Sequence, residues 1–183
     1  MSDIVLISGS PSATSRSSAL LKDLAVRFSQ LGVESTFVAV RDLPPEDLIW
    51  ARYDSAALKP SIDLVSRARA VVVATPVYKA AYCGTLKTFL DLLPQNALQG
   101  KVVLPIVTGG SPAHLLAIDY SLKPVLSALG ATELLQGIYA VDDQVKVNPA
   151  GGLTLHEDIE KRMTASATLL VTAIKARGLA AIG

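Results

Sequence analysis

The sequence predicts an α/β fold, a three-layer sandwich in which helices cover both faces of a five-stranded parallel sheet. Three observations carry that expectation. Short β-branched apolar runs, such as Ala70–Ala74 and Val102–Val107, alternate with segments whose apolar residues recur at helical spacing. Half of the 183 residues are apolar and mean hydropathy is +0.42, yet no apolar run approaches the ~18–20 residues of a membrane span. Such runs fit strands buried on both faces, and strand–helix alternation makes those strands parallel. A chain of this length buries roughly 70% of its extended-state surface, so a single domain over residues 1–183 needs no disulfide or structural metal.

Taken in order, Ile4–Gly9 is a strand ending in glycine. Leu20, Leu21, Leu24, Ala25, Phe28 and Leu31 then mark a helix that stops at Gly32. Thr36–Val40 is the second strand, and Arg41–Lys59, with Pro44-Pro45, is a long loop holding at most a short helix. Ile62–Ala68 is helical, Ala70–Ala74 is the third strand, and Gly84–Leu93 is a helix stopped by Pro94. Val102–Thr108 is the fourth strand, and Leu115–Leu129 is a helix ending before Gly130. Thr132–Val141 is a fifth strand interrupted near Gly137, and Asp142–Gly152 reads as loop. The last helix is expected to start at Thr154, whose T-L-H-E run has capping-box spacing, with Leu155, Ile159, Met163, Leu170 and Ile174 as its core stripe. Five strands favour the flavodoxin-like order 2-1-3-4-5, in which ligands bind beyond the carboxyl ends of the strands.

That rule nominates three loops. The first, Gly9–Ser18, has hydroxyl side chains at six of ten positions, one arginine, and a helix beginning at its end. Free backbone N–H groups, the positive end of a helix dipole and a guanidinium suit a phosphate, although ordinary helix capping uses the same residues. The loop lacks both G-x-x-x-x-G-K-[ST] and G-x-G-x-x-G, and the lone cysteine, Cys83, lies elsewhere, which leaves a monophosphate. The second loop, Thr75–Gly84, is stiffened by Pro76 and carries Tyr78 and Tyr82 as an apolar wall for a planar ring. The third, Thr108–His114, allows close backbone approach through Gly109-Gly110.

Seventeen basic against sixteen acidic residues leave a net charge of +1, without the basic excess of a nucleic-acid binder. A near-zero charge does little to keep molecules apart, so self-association is expected. One cysteine, and a Met1-Ser2-Asp3 start that no apolar signal segment follows, point to the cytoplasm. His114, His156 and Cys83 make no metal set. Pro124 cannot donate to the carbonyl of Tyr120, so the helix over 115–129 must break there, by a kink or a π-bulge.

Four segments carry a family resemblance: G-S-P-x-x-x-S-R-S-S from Gly9, A-T-P-V-Y-K-A-A-Y-x-G-x-L-K-x-x-x-D-L-L-P from Ala74, A-L-Q-G-K-V-V-L-P with T-G-G, and A-H-L-L-A-I-D-Y-S-L-K-P-V-L-S-A-L from Ala113. Over approximately Ile4 to Val145 the chain resembles the NAD(P)H-dependent FMN reductases, in particular those of two-component alkanesulfonate monooxygenase systems. The resemblance implies a flavodoxin-like fold, FMN and NADPH as cofactors, and delivery of reduced FMN to an alkanesulfonate monooxygenase in sulfur acquisition. It further implies a homo-oligomer, dimer or tetramer. By position, Ser10, Ser15, Arg16, Ser17 and Ser18 would hold the FMN phosphate. Pro76, Val77, Tyr78 and Lys79 would line the flavin ring, and Thr108, Gly109, Gly110 and Ser111 would border it. Where the broader family often has arginine two places after the first serine, this chain has Ser12. These reductases carry an inserted tyrosine in a π-helix, which here is Tyr120, expected to reach the flavin site across a subunit interface and to help release FMN. No acid, base or nucleophile is assigned, because hydride transfer is the cofactors' own chemistry. Two rivals share the fold: a flavodoxin-type electron carrier, and an FMN-containing quinone or azo reductase.

Overall fold

The structure, a computed structural model, describes residues 3–148 and 152–180. Its centre is a sheet in the order β2-β1-β3-β5, with β6 and β7 both on the far side of β5. The ranges are β1 Ile4–Ser8, β2 Ser35–Ala39, β3 Ala70–Tyr78, β5 Val102–Gly109, β6 Glu133–Leu134 and β7 Ile138–Val141. All of these pair in parallel, with Ile4 opposite Ser35 and Ala70, and Ala70 opposite Val102. A two-residue strand, β4 (Ala81–Tyr82), folds back antiparallel onto the end of β3. The sheet therefore has seven strands rather than the five expected. β4 is one addition, and the fifth strand is cut into β6 and β7 at the expected interruption before Gly137. A Cβ on that glycine would press Ile118 Cγ2 at 2.9 Å and Pro105 at 3.1 Å.

Every residue of β1 and β5 is buried, and the two-residue period of the strands sends alternate side chains into two cores. On one face Ile4, Leu6, Val72, Leu104 and Ile106 meet Leu20, Leu21, Leu24 and Phe28 of α1 (Arg16–Gln30). The same core receives Ile159, Met163, Leu170 and Ile174 of α6 (Glu157–Ala180). On the other face Val5, Ile7, Val71, Val73, Val103 and Val107 meet Val65 of α3 (Lys59–Arg67), Leu86, Phe89 and Leu90 of α4 (Gly84–Leu90), and Leu126 of α5 (Lys123–Ala128). The long loop after β2 holds the expected short helix, α2 (Pro45–Ile49).

Several boundaries differ from expectation, among them α3, which starts at Lys59 rather than Ile62. β3 runs on to Tyr78 instead of ending at Ala74, and α4 stops at Leu90 rather than Leu93. The segment 115–129 is not one helix: a 3-10 turn at Pro112–His114 leads to a π-helical turn at Ile118–Leu122 and then to α5. The break falls at Tyr120 as Pro124 requires, and Ser121 Oγ donates to the Ala117 carbonyl at 2.6 Å within it. Finally, part of the expected loop 142–152 is strand β8 (Val145–Val147), paired antiparallel with β9 (Leu153–Leu155). Pro149–Gly151 lie outside the described residues. Thr154 sits in β9 and caps nothing, because Leu153 and Leu155 alternate with it and pair across to β8. The actual cap of α6 is His156, whose Nδ1 accepts the Asp158 N–H at 3.4 Å.

Candidate functional site

At the carboxyl end of β1, Gly9 N–H donates to the Ala74 carbonyl at 2.8 Å, and a Cβ there would overlap the Leu86 side chain. The backbone thus passes against α4 at a point only glycine fits. Two hydroxyl-closed turns follow: Ser10 Oγ accepts the Ser12 N–H at 3.2 Å, and Ser12 Oγ accepts the Thr14 N–H at 3.3 Å. Ser15 caps α1 by accepting the Ser18 N–H at 3.1 Å. A hydroxyl chain anchors this cap to the sheet, with Ser15 Oγ 2.7 Å from Ser18 Oγ, which lies 2.6 Å from Ser8 Oγ. The first-turn N–H groups of Arg16 and Ser17 take no such partner and remain available to an anion.

The second segment is a hairpin extension of the sheet rather than a loop. Its two-residue turn, Lys79-Ala80, has φ of 52° and 65°, and Thr75 Oγ1 accepts the Cys83 N–H at 3.0 Å behind it. Pro76 stands opposite Thr108 in the β3–β5 register. The third segment leaves β5 at Gly109, where a Cβ would collide with the Tyr139 hydroxyl. That hydroxyl donates to the Ser111 carbonyl at 2.7 Å and so fixes the loop. Burial, with the Asp142 charge adding to it, raises the Tyr139 pKa and keeps the hydroxyl a donor.

Between the three segments lies a cleft of about 400 Å³, lined by Ser10, Ser12, Thr14, Ser15, Arg16, Pro76, Val77, Tyr78, Thr108, Gly109, Gly110 and Asp142. That volume is in the range of small-molecule and cofactor sites. Nine of the fourteen residues nominated from the sequence line it. Ser17 and Ser18 do not; their side chains are buried in the hydroxyl network, and only their backbone belongs to the loop. Lys79 is at the hairpin tip, Ser111 caps the 3-10 turn by accepting the Ala113 N–H at 3.4 Å, and Tyr120 is 79% exposed. Asp142 escapes sequence reasoning altogether, whereas Ser12 and Thr14 enter it only among the six hydroxyls of the first loop. Asp142 Oδ1 lies 3.1 Å from Arg16 Nη1, while Arg16 Nε donates to the Val145 carbonyl at 3.1 Å. No local signal could have joined a carboxylate to an arginine so distant in sequence.

The donor set fits FMN. Four hydroxyls, one guanidinium and two open helix N–H groups converge at one end, as an anionic phosphate requires. At the other end is an apolar wall of Pro76, Val77 and Tyr78, and nothing stands within 4 Å of where a Gly110 Cβ would be, leaving space for a ring edge.

Comparison with known proteins agrees. A family model described as NADPH-dependent FMN reductase matches residues 2–146. A relative from Escherichia coli (strain K12) named FMN reductase (NADPH) is 55% identical over 142 residues, covering 78% of this chain and 74% of its own. A solved NADH:FMN oxidoreductase (EMOB), in its apo form, superposes with a TM-score of 0.83 at 38% identity, covering 94% of this chain and 90% of that one. A flavodoxin from Streptococcus pneumonia TIGR4 superposes with a TM-score of 0.61 at 18% identity, covering 93% and 99%, and shares the fold alone. With the family model spanning the sheet, the cleft and the π-helical turn, the chain belongs to the NADPH-dependent FMN reductases and is an oxidoreductase acting on FMN.

Proposed function

We propose that this enzyme treats FMN as a dissociable substrate, reduces it with NADPH in the cytoplasm, and supplies the product to a separate flavin-dependent alkanesulfonate monooxygenase. The observation that carries the flavin-binding part of this reading is the cleft with its phosphate-type donor set at one end and apolar wall at the other; release of the flavin to a monooxygenase is supported by similarity to relatives named FMN reductase. The nicotinamide and the flavin supply the hydride chemistry when bound, and the chain binds and orients them. Ser10, Ser12, Thr14, Ser15 and Arg16, with the backbone N–H groups of Arg16 and Ser17, hold the phosphate; the Ser18 hydroxyl acts one step back, fixing Ser15. Pro76, Val77 and Tyr78 form the ring wall, with Lys79 at its lip, and Thr108, Gly109, Gly110 and Ser111 close the opposite edge. The enzyme works as a homo-oligomer in which Tyr120, with the half-exposed Leu115 and Leu116, lies against a second copy.

The test is NADPH oxidation by flavin-free protein, with and without added FMN. Saturable dependence on FMN, lost on its omission, is expected. Protein that stays yellow through gel filtration and ignores added FMN would instead fit a carrier or a quinone or azo reductase with resident flavin. The same column run reads the oligomer, and a monomer at micromolar concentration would remove the subunit-interface part of the reading.

A further inference from the structure

One lining residue works against the ligand that the rest of the cleft suits. Asp142, in the turn after β7, places a carboxylate among the hydroxyls and N–H groups and holds Arg16 Nη1 at 3.1 Å. Among the described residues, Arg16 is the only one that brings a guanidinium to the cleft. Of its five N–H donors, Nε is taken by the Val145 carbonyl and one of Nη1 by Asp142, which leaves the Nη2 pair and the other Nη1 proton. A phosphate monoester carries about −1.5 to −2 charges at pH 7. Seated in the hydroxyl loop it must share that guanidinium with a carboxylate already paired to it, and the two anions repel.

We infer that Asp142 is a specificity-determining residue that weakens the hold on the phosphate of FMN and so keeps the flavin exchangeable. This rests on the phosphate-loop reading of the site. Two roles of the carboxylate pull in opposite directions: it orients Arg16, which favours binding, and it opposes the second anion. Orientation does not depend on Asp142 alone, because Nε is anchored independently on Val145 at 3.1 Å. At 44% and 45% side-chain exposure the repulsion is screened in part but not abolished. With Arg16 held independently through Nε, removal of the charge leaves the lost repulsion as the main change.

The variant that separates them is Asp142→Asn, which retains an amide oxygen to accept from Nη1 and removes the charge. Equilibrium dissociation constants are measured by flavin fluorescence for FMN and for riboflavin, which has the same ring and no phosphate. FMN binding is expected to tighten about fivefold (about 1 kcal/mol), with riboflavin unchanged within twofold. Unchanged or weaker FMN binding overturns the inference, as does an equal gain for both flavins. Asp143→Asn makes the same charge change at an exposed neighbour that does not line the cleft, and an equal gain there would reduce the effect to net charge. The underlying reading fails separately: wild-type protein that binds FMN and riboflavin equally well has no phosphate site for Asp142 to act on.

Discussion

At Gly109 the strand β5 runs so close to Tyr139 that a single methyl group would occupy the place of the hydroxyl. Gly109→Ala must therefore push Tyr139 aside, break its bond to the Ser111 carbonyl and shift the cleft's third wall. Overpacking of this kind costs about 1–3 kcal/mol. Tyr139→Phe alone loses one hydrogen bond, about 1 kcal/mol. The double variant is expected to be more stable than Gly109→Ala by itself, since loss of the hydroxyl removes the closest contact and leaves the ring Cζ at 3.0 Å. Urea denaturation of all four proteins checks this, and strictly additive losses would refute the contact as the cause. A Gly-Gly pair after a strand is legible in sequence as close approach. What approaches is not, because Tyr139 lies 28 positions from the residue it bonds. The serines divide in the same way. Their abundance marks an anion loop, but not which hydroxyls face it: Ser10, itself fully buried, and Ser15 line the cleft, whereas Ser17 and Ser18 turn theirs into the network.

Among the elements, the β3–β4 hairpin departs furthest from its sequence signal. Two-residue hairpin turns with both central residues at positive φ favour Asn-Gly or Gly-Gly, and here the residues are Lys79 and Ala80. With only Val77-Tyr78 and Ala81-Tyr82 paired, there is too little alternation for a period of two to register. Two non-glycine residues held in the left-handed region are strained, each by roughly 1–2 kcal/mol. Ala80→Gly is expected to relieve about 1 kcal/mol and raise Tm by about 2–4 °C, as read by calorimetry. No change, or a fall, would mean that the turn relaxes in solution to a conformation free of that strain. The π-helical turn was the opposite case. Proline forbids one particular hydrogen bond, so Pro124 located the defect in advance. The T-L-H-E spacing misled, because a four-residue pattern occurs by chance and the pairing of Leu153 and Leu155 with β8 is non-local.

For the molecule as a whole, alternation implies parallel strands, and their number favours the flavodoxin-like order, which the sheet keeps in β2-β1-β3-β5. Less legible was what ties the last helix to the first. Arg27 of α1, only 17% exposed in its side chain, meets Asp23 at 2.5 Å, Glu160 of α6 at 2.8 Å and Thr164 at 2.7 Å. This clamp closes the face on which Met163 and Ile174 complete the core. The hydrogen bond from Arg27 draws the Glu160 carboxyl below the ordinary carboxylate value of 4.5, against the opposing pull of burial. In the unfolded chain that carboxylate takes up its proton first as pH falls. The stabilisation is thus complete above about pH 5.5 and is lost as acid brings the folded group through its lowered value. Because the Glu160 side chain is 50% exposed, solvent screening limits its size to no more than about 1 kcal/mol. Glu160→Gln should be less stable than wild type by that margin at pH 7 in urea denaturation. The difference should shrink steadily below pH 4.5 and vanish once acid has protonated the folded carboxyl. A difference that persists in acid would show that the glutamate contributes through packing between α1 and α6, and the ionic clamp would not be what joins the two helices.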